Sequence, residues 1–335
     1  MRSPLRPALV CIVLAWACAG SPVSGKTLLV GADRELTSPS AAASVAVDGD
    51  TVAIDAGEYF DCAVWRANGL LIEGGAEGVV ITDKTCDGKA LFVVVGNDIT
   101  IRNLTFTRAR VPDGNGAGIR AEGVNLRVEH SRFINNESGI MIGAAASSTV
   151  TIVDSAFDGN GRCAAGRCAH ALAVEEIALL RVESCRFTGT KAGHHIASRA
   201  TRSELSGNEI ADGPEGSASY LVTVPNGGSL IMTKNVLEKG PKSSNKATAI
   251  MLGDDASLRS EGVFSFSGNR FSNDTGGATI FVRNWTGEAV KEEGNTLGAG
   301  TTAVSSDGYF LHRLRVWAAQ FVAFCKSLAK MVLRR

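Results

Sequence analysis

Short runs in which apolar and polar residues alternate with period two recur along most of the chain, as in Gly139-Ile140-Met141-Ile142 and Thr149-Val150-Thr151-Ile152-Val153. They are rich in Val, Ile, Thr and Phe and are separated by Gly, Asn, Asp or Ser, the signature of strands joined by tight turns. Between Lys26 and Thr302 no stretch sustains the i, i+3, i+4, i+7 spacing of an amphipathic helix, which argues against helical repeats. A five-residue phrase sets the period: Asn, Ser or Cys in the middle, and a large apolar residue two places later. It reads RNLTF at Arg102–Phe106, with Leu104 in the middle slot, then EHSRF, VDSAF, ESCRF, SGNEI, TKNVL, SGNRF and EGNTL, ending at Leu297. Successive middle residues lie 27, 24, 30, 23, 27, 34 and 26 positions apart. A unit that short cannot bury its own apolar face, so copies must stack and share one core.

Three strands and three turns in about 22–30 residues describe one coil of a parallel β-helix. The phrase then predicts a single inward stack of Phe106, Phe133, Phe157, Phe187, Ile210, Leu237, Phe271 and Leu297. It also predicts that the Asn slot sits in a left-handed turn conformation and that its amides form a ladder along the axis.

Segments such as SRFINNESGIMIG at Ser131–Gly143 resemble the repeats of right-handed parallel β-helix proteins, the pectin-lyase-like superfamily. The resemblance runs from roughly Gly49 to Gly300. It implies an all-β fold: a right-handed parallel β-helix, a solenoid of single coils, here followed by a C-terminal α-helix. The expected division is a signal peptide over 1–25, the β-helix over 26–302 and a basic amphipathic helix over 303–335.

The ends carry different signals. Arg2 and Arg6 precede the apolar run Ala8–Cys18, and small residues follow, as in a secretory signal. The protein is therefore expected to be exported, either periplasmic or secreted. Six cysteines remain after cleavage, and an oxidising compartment favours disulfides over metal. Cys163 and Cys168 bracket a short Gly-containing insert and form the first expected bridge. Cys62 and Cys86, about one coil apart, form a second, while Cys185 fills an Asn slot and reads as a buried thiol. From Gly308 to Arg335 there is no acidic residue. Arg315, Lys326, Lys330 and Arg334 fall on one side of a helical wheel there, opposite Leu314, Trp317, Phe321, Phe324, Leu328 and Met331. Two readings stand for this helix: it lies on an anionic membrane surface, or it caps the last coil.

Charge narrows the partners. Lys+Arg and Asp+Glu are equal at 34 each, so no overall field favours nucleic acid. His194-His195 lacks a third ligand at sensible spacing, so no metal and no cofactor is expected. The densest acid, base and anion-binding chemistry is Lys191-Ala-Gly-His194-His195-Ile-Ala-Ser-Arg199. Strict alternation from inward Ile119 and Ile196 places Arg120, Glu122, His195 and Arg199 on one outer face. Lys191 and His194 lie at its edge, and Tyr220 lies one coil on. The loop starting Lys239-Gly-Pro-Lys242 flanks that face with lysines suited to an anionic polymer.

Members of the resembled superfamily that cleave or epimerise acidic sugars need a base for the C5 proton, a cation on the carboxylate and an acid. His195, Arg199 and Tyr220 are the expected catalytic set, with Arg120, Glu122, Lys191, His194, Lys239 and Lys242 as substrate contacts. The leading expectation is a polysaccharide lyase or epimerase. The alternative is a non-catalytic, envelope-associated or adhesin-like scaffold.

Overall fold

A computed structural model describes residues 25–332, except 76, 77, 165, 256 and 260. The expected signal segment therefore lies outside the described residues, save for Gly25. Three long parallel sheets run the length of the molecule, and each coil contributes one strand to each in the chain order A, B, C. Among the described residues, sheet A has eleven strands, from Thr27–Val30 to Val290–Glu293. Sheet B has ten, from Gly57–Tyr59 to Thr296–Leu297, and sheet C has ten, from Ala63–Trp65 to Thr301–Ser305. The fold is the right-handed parallel β-helix.

Sheet B carries the phrase anchors in one column. Phe106, Phe133, Phe157, Phe187, Ile210, Leu237, Phe271 and Leu297 pair in register from coil to coil. The rings of Phe106, Phe133, Phe157 and Phe187 are stacked nearly face to face, with centroids 5.2, 4.8 and 4.3 Å apart. The column begins two coils earlier, at Tyr59 and Ile81, where the phrase is absent. Leu297, in the last coil, is only half-buried.

The amide ladder forms as expected. The Oδ1 atoms of Asn208, Asn235, Asn269 and Asn295 each accept the N–H of the preceding slot residue, at 2.9, 2.9, 3.0 and 2.9 Å. Their Nδ2 groups donate to the carbonyls of Val182, Leu205, Met232 and Phe266. The left-handed residue, however, is the one before the slot: Asn103, His130, Asp154, Ser184 and Lys234 have φ of 60, 46, 47, 54 and 56°. The turn residue faces solvent, and its successor is thereby freed to aim its amide inward. Cys185 is a buried free thiol in this ladder, its pKa pushed up to about 12 by burial.

Two helices interrupt the pattern. Pro39–Val45 packs against the strands Thr27–Val30 and Ala63–Trp65 at the first coil. This corrects the expectation of no helix before Thr302. At seven residues it is too short to show a period, although its Ser38 N-cap and Pro39 are helix-start residues. The second helix, Tyr309–Val332, is tied to the solenoid by its first turn. Trp285 stacks on His312 with centroids 4.7 Å apart, and Trp285 Nε1 and Arg283 both donate to the Asp307 carbonyl. Phe310, Leu311, Leu314, Trp317, Phe321 and Val322 are exposed instead of covering the last coil. Both expected disulfides, Cys62–Cys86 and Cys163–Cys168, are formed; the latter closes a small hairpin beside sheet C.

Candidate functional site

Sheet C departs from simple alternation, and that departure decides the site. Several of its strands, in places with the residue before them, send two consecutive residues into the core: Leu91 and Phe92, Ala171 and Leu172, His195 and Ile196, Leu221 and Val222, Ala249 and Ile250, Phe281 and Val282. The register skips the first of the pair, as between His194↔Tyr220 and Ile196↔Val222. At Gly118 and Gly139, opposite Phe133 and Phe157, the first position carries no side chain. A Cβ on Gly118 or Gly139 would lie 2.8 or 2.7 Å from a ring carbon of Phe133 or Phe157. Two coils beyond Gly139 the Phe column has given way to Ile210, and His195 takes the space.

His195 is therefore not on the outer face. It is fully buried, with Nδ1 2.8 Å from the Thr190 hydroxyl and Nε2 2.9 Å from Asp212 Oδ1. Lys239, expected in an exposed loop, is also fully buried. It pairs with Asp212 at 3.5 Å and donates to the carbonyls of Ala218 and Ser219 at 3.0 and 2.8 Å. Burial pulls the Lys239 pKa down to about 8, and Asp212 offsets part of that fall. Burial likewise lowers His195, so its ring is neutral at pH 7. Burial acts to raise Asp212, but hydrogen bonding to His195 and the Lys239 charge outweigh it, and the carboxyl stays below its usual range. This knot is sealed from solvent and neither residue can touch a substrate.

The outer face of sheet C carries a different set. His170, His194 and Tyr220 stand in adjacent coils with stacked rings, centroids 4.7 and 5.0 Å apart. The Nδ1 of His170 accepts the His194 N–H at 3.0 Å, and that of His194 accepts the Tyr220 N–H at 3.2 Å. Each imidazole thus carries its proton on Nε2 and is held neutral; burial takes His170 down to about 4 and His194 to about 3. The three rings form a flat, uncharged ridge.

On one side of this ridge lies a groove of about 260 Å³, floored by Ala173, Ala197 and Thr223 and walled by Glu175, Arg199, Pro225 and Asp254. Arg199 does face outward, as alternation predicted. Its guanidinium is engaged, however, by Asp255 at 2.7 Å and Glu175 at 3.8 Å. Thr223 Oγ1 and Asp254 Oδ1 are buried without a hydrogen-bond partner. Burial, reinforced by the Asp255 charge, raises the Asp254 pKa above the usual carboxylate range. Burial also raises Tyr220, again with a carboxylate, Asp254, adding to the shift. Asp254, Glu175 and Thr223 were not among the expected site residues. The Asp254-Asp255 and Glu175-Glu176 pairs read as turns, and nothing local shows that strands three coils apart bring them together.

The remaining expected contacts disperse. Arg120 and Glu122 occupy the outer columns of sheet C, but Met141 and Gly143 separate them from the groove. Glu122 pairs with Lys89 at 2.6 Å. Lys242 pairs with Glu215 at 2.6 Å. Lys191 lies across the ridge, in a hollow with His170, His194 and the Cys163–Cys168 bridge.

The molecule is thus defined as a right-handed β-helix with a ring-bordered groove on one outer sheet. The family described as the right handed beta helix region matches residues 38–210, more than half of the chain, and the chain belongs to that family. Its fold is similar to that of the pectate lyase Pel9A, at 13% identity and a TM-score of 0.51, covering 85% of this chain and 80% of that one. The pectin methylesterase PemA from Erwinia chrysanthemi aligns at 11% identity and a TM-score of 0.45, over 86% of this chain and 92% of that one. At such identities the likeness concerns the fold alone. A search of the curated proteins yields no match.

Proposed function

We propose that this protein is an exported β-helix that binds an acidic polysaccharide along the ridge and groove of sheet C. The observation that carries the reading is the pair of orphaned polar atoms, Thr223 Oγ1 and Asp254 Oδ1, in one groove beside the stacked rings. Buried polar atoms are nearly always paired, so two orphans at one concavity mark where a ligand supplies partners. The faces of the column are covered by one another, and its uncharged ring edges, with the imidazole N–H groups and the polar rim, suit the hydroxyls of a sugar. Two disulfides support an oxidising, extracytoplasmic location. The exposed apolar side chains and acid-free sequence of the C-terminal helix support docking on an anionic membrane surface.

Processing of the lyase or epimerase type is the extension of this reading. Asp254 and Tyr220, both raised in pKa, are suited to donate protons. With His195 in the core, the groove has no comparably poised base among the described residues. The scaffold alternative draws its support from that burial. A panel of polyuronates and neutral glycans, titrated calorimetrically and followed by the ultraviolet absorbance of an unsaturated product, tests the proposal. We expect binding to a polyuronate; absence of binding across the panel would sink the reading, and product formation would extend it to catalysis.

A further inference from the structure

Across the ridge from the groove, two hollows of about 420 and 370 Å³ share Cys163, Lys191 and Ala192. The first is bordered by His170 and His194 and by the disulfide-closed hairpin; the second is lined by Arg110, Asn135, Arg162 and Lys191. Asn135 organises the cations. Arg110 donates to its backbone carbonyl at 2.7 Å and its Oδ1 at 3.1 Å, and Lys191 Nζ lies 3.5 Å from the same Oδ1. Asn135 holds its place through a left-handed φ of 51°, which lets one residue present both oxygens to one side.

The charges do not cancel. Glu137 is the carboxylate within this set. It is buried, accepts the N–H groups of Val111 and Gly116 at 2.9 and 2.8 Å, and meets Arg162 at 3.3 Å. Among the described residues, no carboxylate forms an ion pair with Arg110 or Lys191. Asp158 lies on the neighbouring sheet B strand, where its carboxylate takes the Thr188 hydroxyl. Three cations thus face the buried Glu137 and the charge of Asp83, which acts on Arg110 while its carboxylate is paired with Arg108. The rim of the groove has the opposite balance, with Arg199 and Arg259 against Glu175, Glu176, Asp254 and Asp255.

We infer that the Arg110–Arg162–Lys191 hollow is an oxyanion subsite that takes a sugar carboxylate or sulfate ester of a chain lying across the histidine ridge. The donors that Arg110 keeps beyond its bonds to Ala109 and Asn135, and the exposed ammonium of Lys191, converge on one concavity, an arrangement that favours an oxyanion over a neutral hydroxyl. A chain crossing the ridge then places one acidic group here and runs over the edges of the His170 and His194 rings. Its next unit lies over the acid-rich groove, where a second carboxylate is disfavoured unless it displaces Asp255 from Arg199. The subsite thus fixes the direction of binding. For the polymer this rests on the groove reading; for the anion it stands alone.

The test uses the whole chain with trigalacturonate, the neutral cellotriose and inorganic sulfate as probes. We expect trigalacturonate to bind in preference to cellotriose, sulfate to compete with it, Lys191→Ala to weaken it about tenfold, and Lys191→Arg to restore it, the scale of one charge-assisted hydrogen bond. Arg162→Gln, at an exposed side chain, gives a second reading should Lys191→Ala fold poorly. Equal binding of the two trisaccharides, or trigalacturonate binding untouched by both variants, overturns the subsite while leaving the groove reading intact. If neither sugar binds, the groove reading fails; sulfate binding lost in Lys191→Ala then still supports the subsite, and no sulfate binding removes it.

Discussion

His194 and His195 are neighbours in the sequence and belong to two different regions of the molecule. The first stands on the outer ridge, stacked between His170 and Tyr220. The second is sealed in the core, hydrogen-bonded to Thr190 and Asp212 beside Lys239. Both rings are neutral, and burial is the leading cause for each. The difference lies in what the neutrality serves. On the ridge it leaves a row of uncharged ring edges for a ligand, the faces of His194 being covered by His170 and Tyr220. In the core it leaves the Asp212–Lys239 pair as the site of charge, with the imidazole as a bridge to Thr190. A histidine-rich motif is thus not one site but two: one that meets solvent and one that holds adjacent coils together.

The largest expected effect sharpens this contrast from the inside. Asp212→Ala strands the Lys239 ammonium and removes the acceptor of His195, and should cost about 3–5 kcal/mol, read as a lower urea midpoint. Adding Lys239→Met to that variant should recover much of the loss, since no buried charge then remains. A loss under about 1 kcal/mol for Asp212→Ala would show that water reaches the knot and that the two regions are not so different.

Acid should separate the regions next. His170 and His194 resist protonation until about pH 4 and 3 when folded, whereas an unfolded chain takes up those protons near pH 6.5. The unfolded state binds more protons over that window, so stability falls as pH drops below about 6.5 and continues to fall toward about pH 4. Each histidine should account for roughly 2–3 kcal/mol of the loss. Urea midpoints between pH 7 and 4 for the protein and for a His170→Gln/His194→Gln variant isolate this share; parallel curves would contradict it.

The smallest effect on stability belongs to the ridge alone. His194→Ala removes the acceptor of the Tyr220 N–H and should cost about 1 kcal/mol, yet weaken polyuronate binding about tenfold by removing a ring edge and its N–H from the ridge. A variant that binds normally would detach the ridge from function.

The coil was legible because its cause is local and repeats. The eight phrase anchors, the slot amides and the turn residues before them act at fixed offsets, and Phe106, Phe133 and Phe157 each meet the same neighbours. The two first coils were harder to see because Tyr59 and Ile81 fill the column without the phrase. Cys163 and Cys168 were legible from spacing, since five residues and one glycine let a hairpin close. The groove was not legible. Asp254 belongs to the coil after Tyr220, Glu175 to the coil before His194, and only stacking brings both beside Arg199.

By itself, then, the sequence determined the solenoid, its register and its interior column, because period-two strands too short to stand alone have one way to bury their apolar faces. The tertiary structure alone decided which of two adjacent histidines faces out. Sheet C sends two successive residues inward at that point, and the side chain that fits the first depends on the volume sheet B presents across the core, which leaves no room for a Cβ at Gly118 or Gly139 opposite Phe133 and Phe157. Strand periodicity carries no information about that opposing volume, and so alternation assigned His195 to the surface and packing placed it inside.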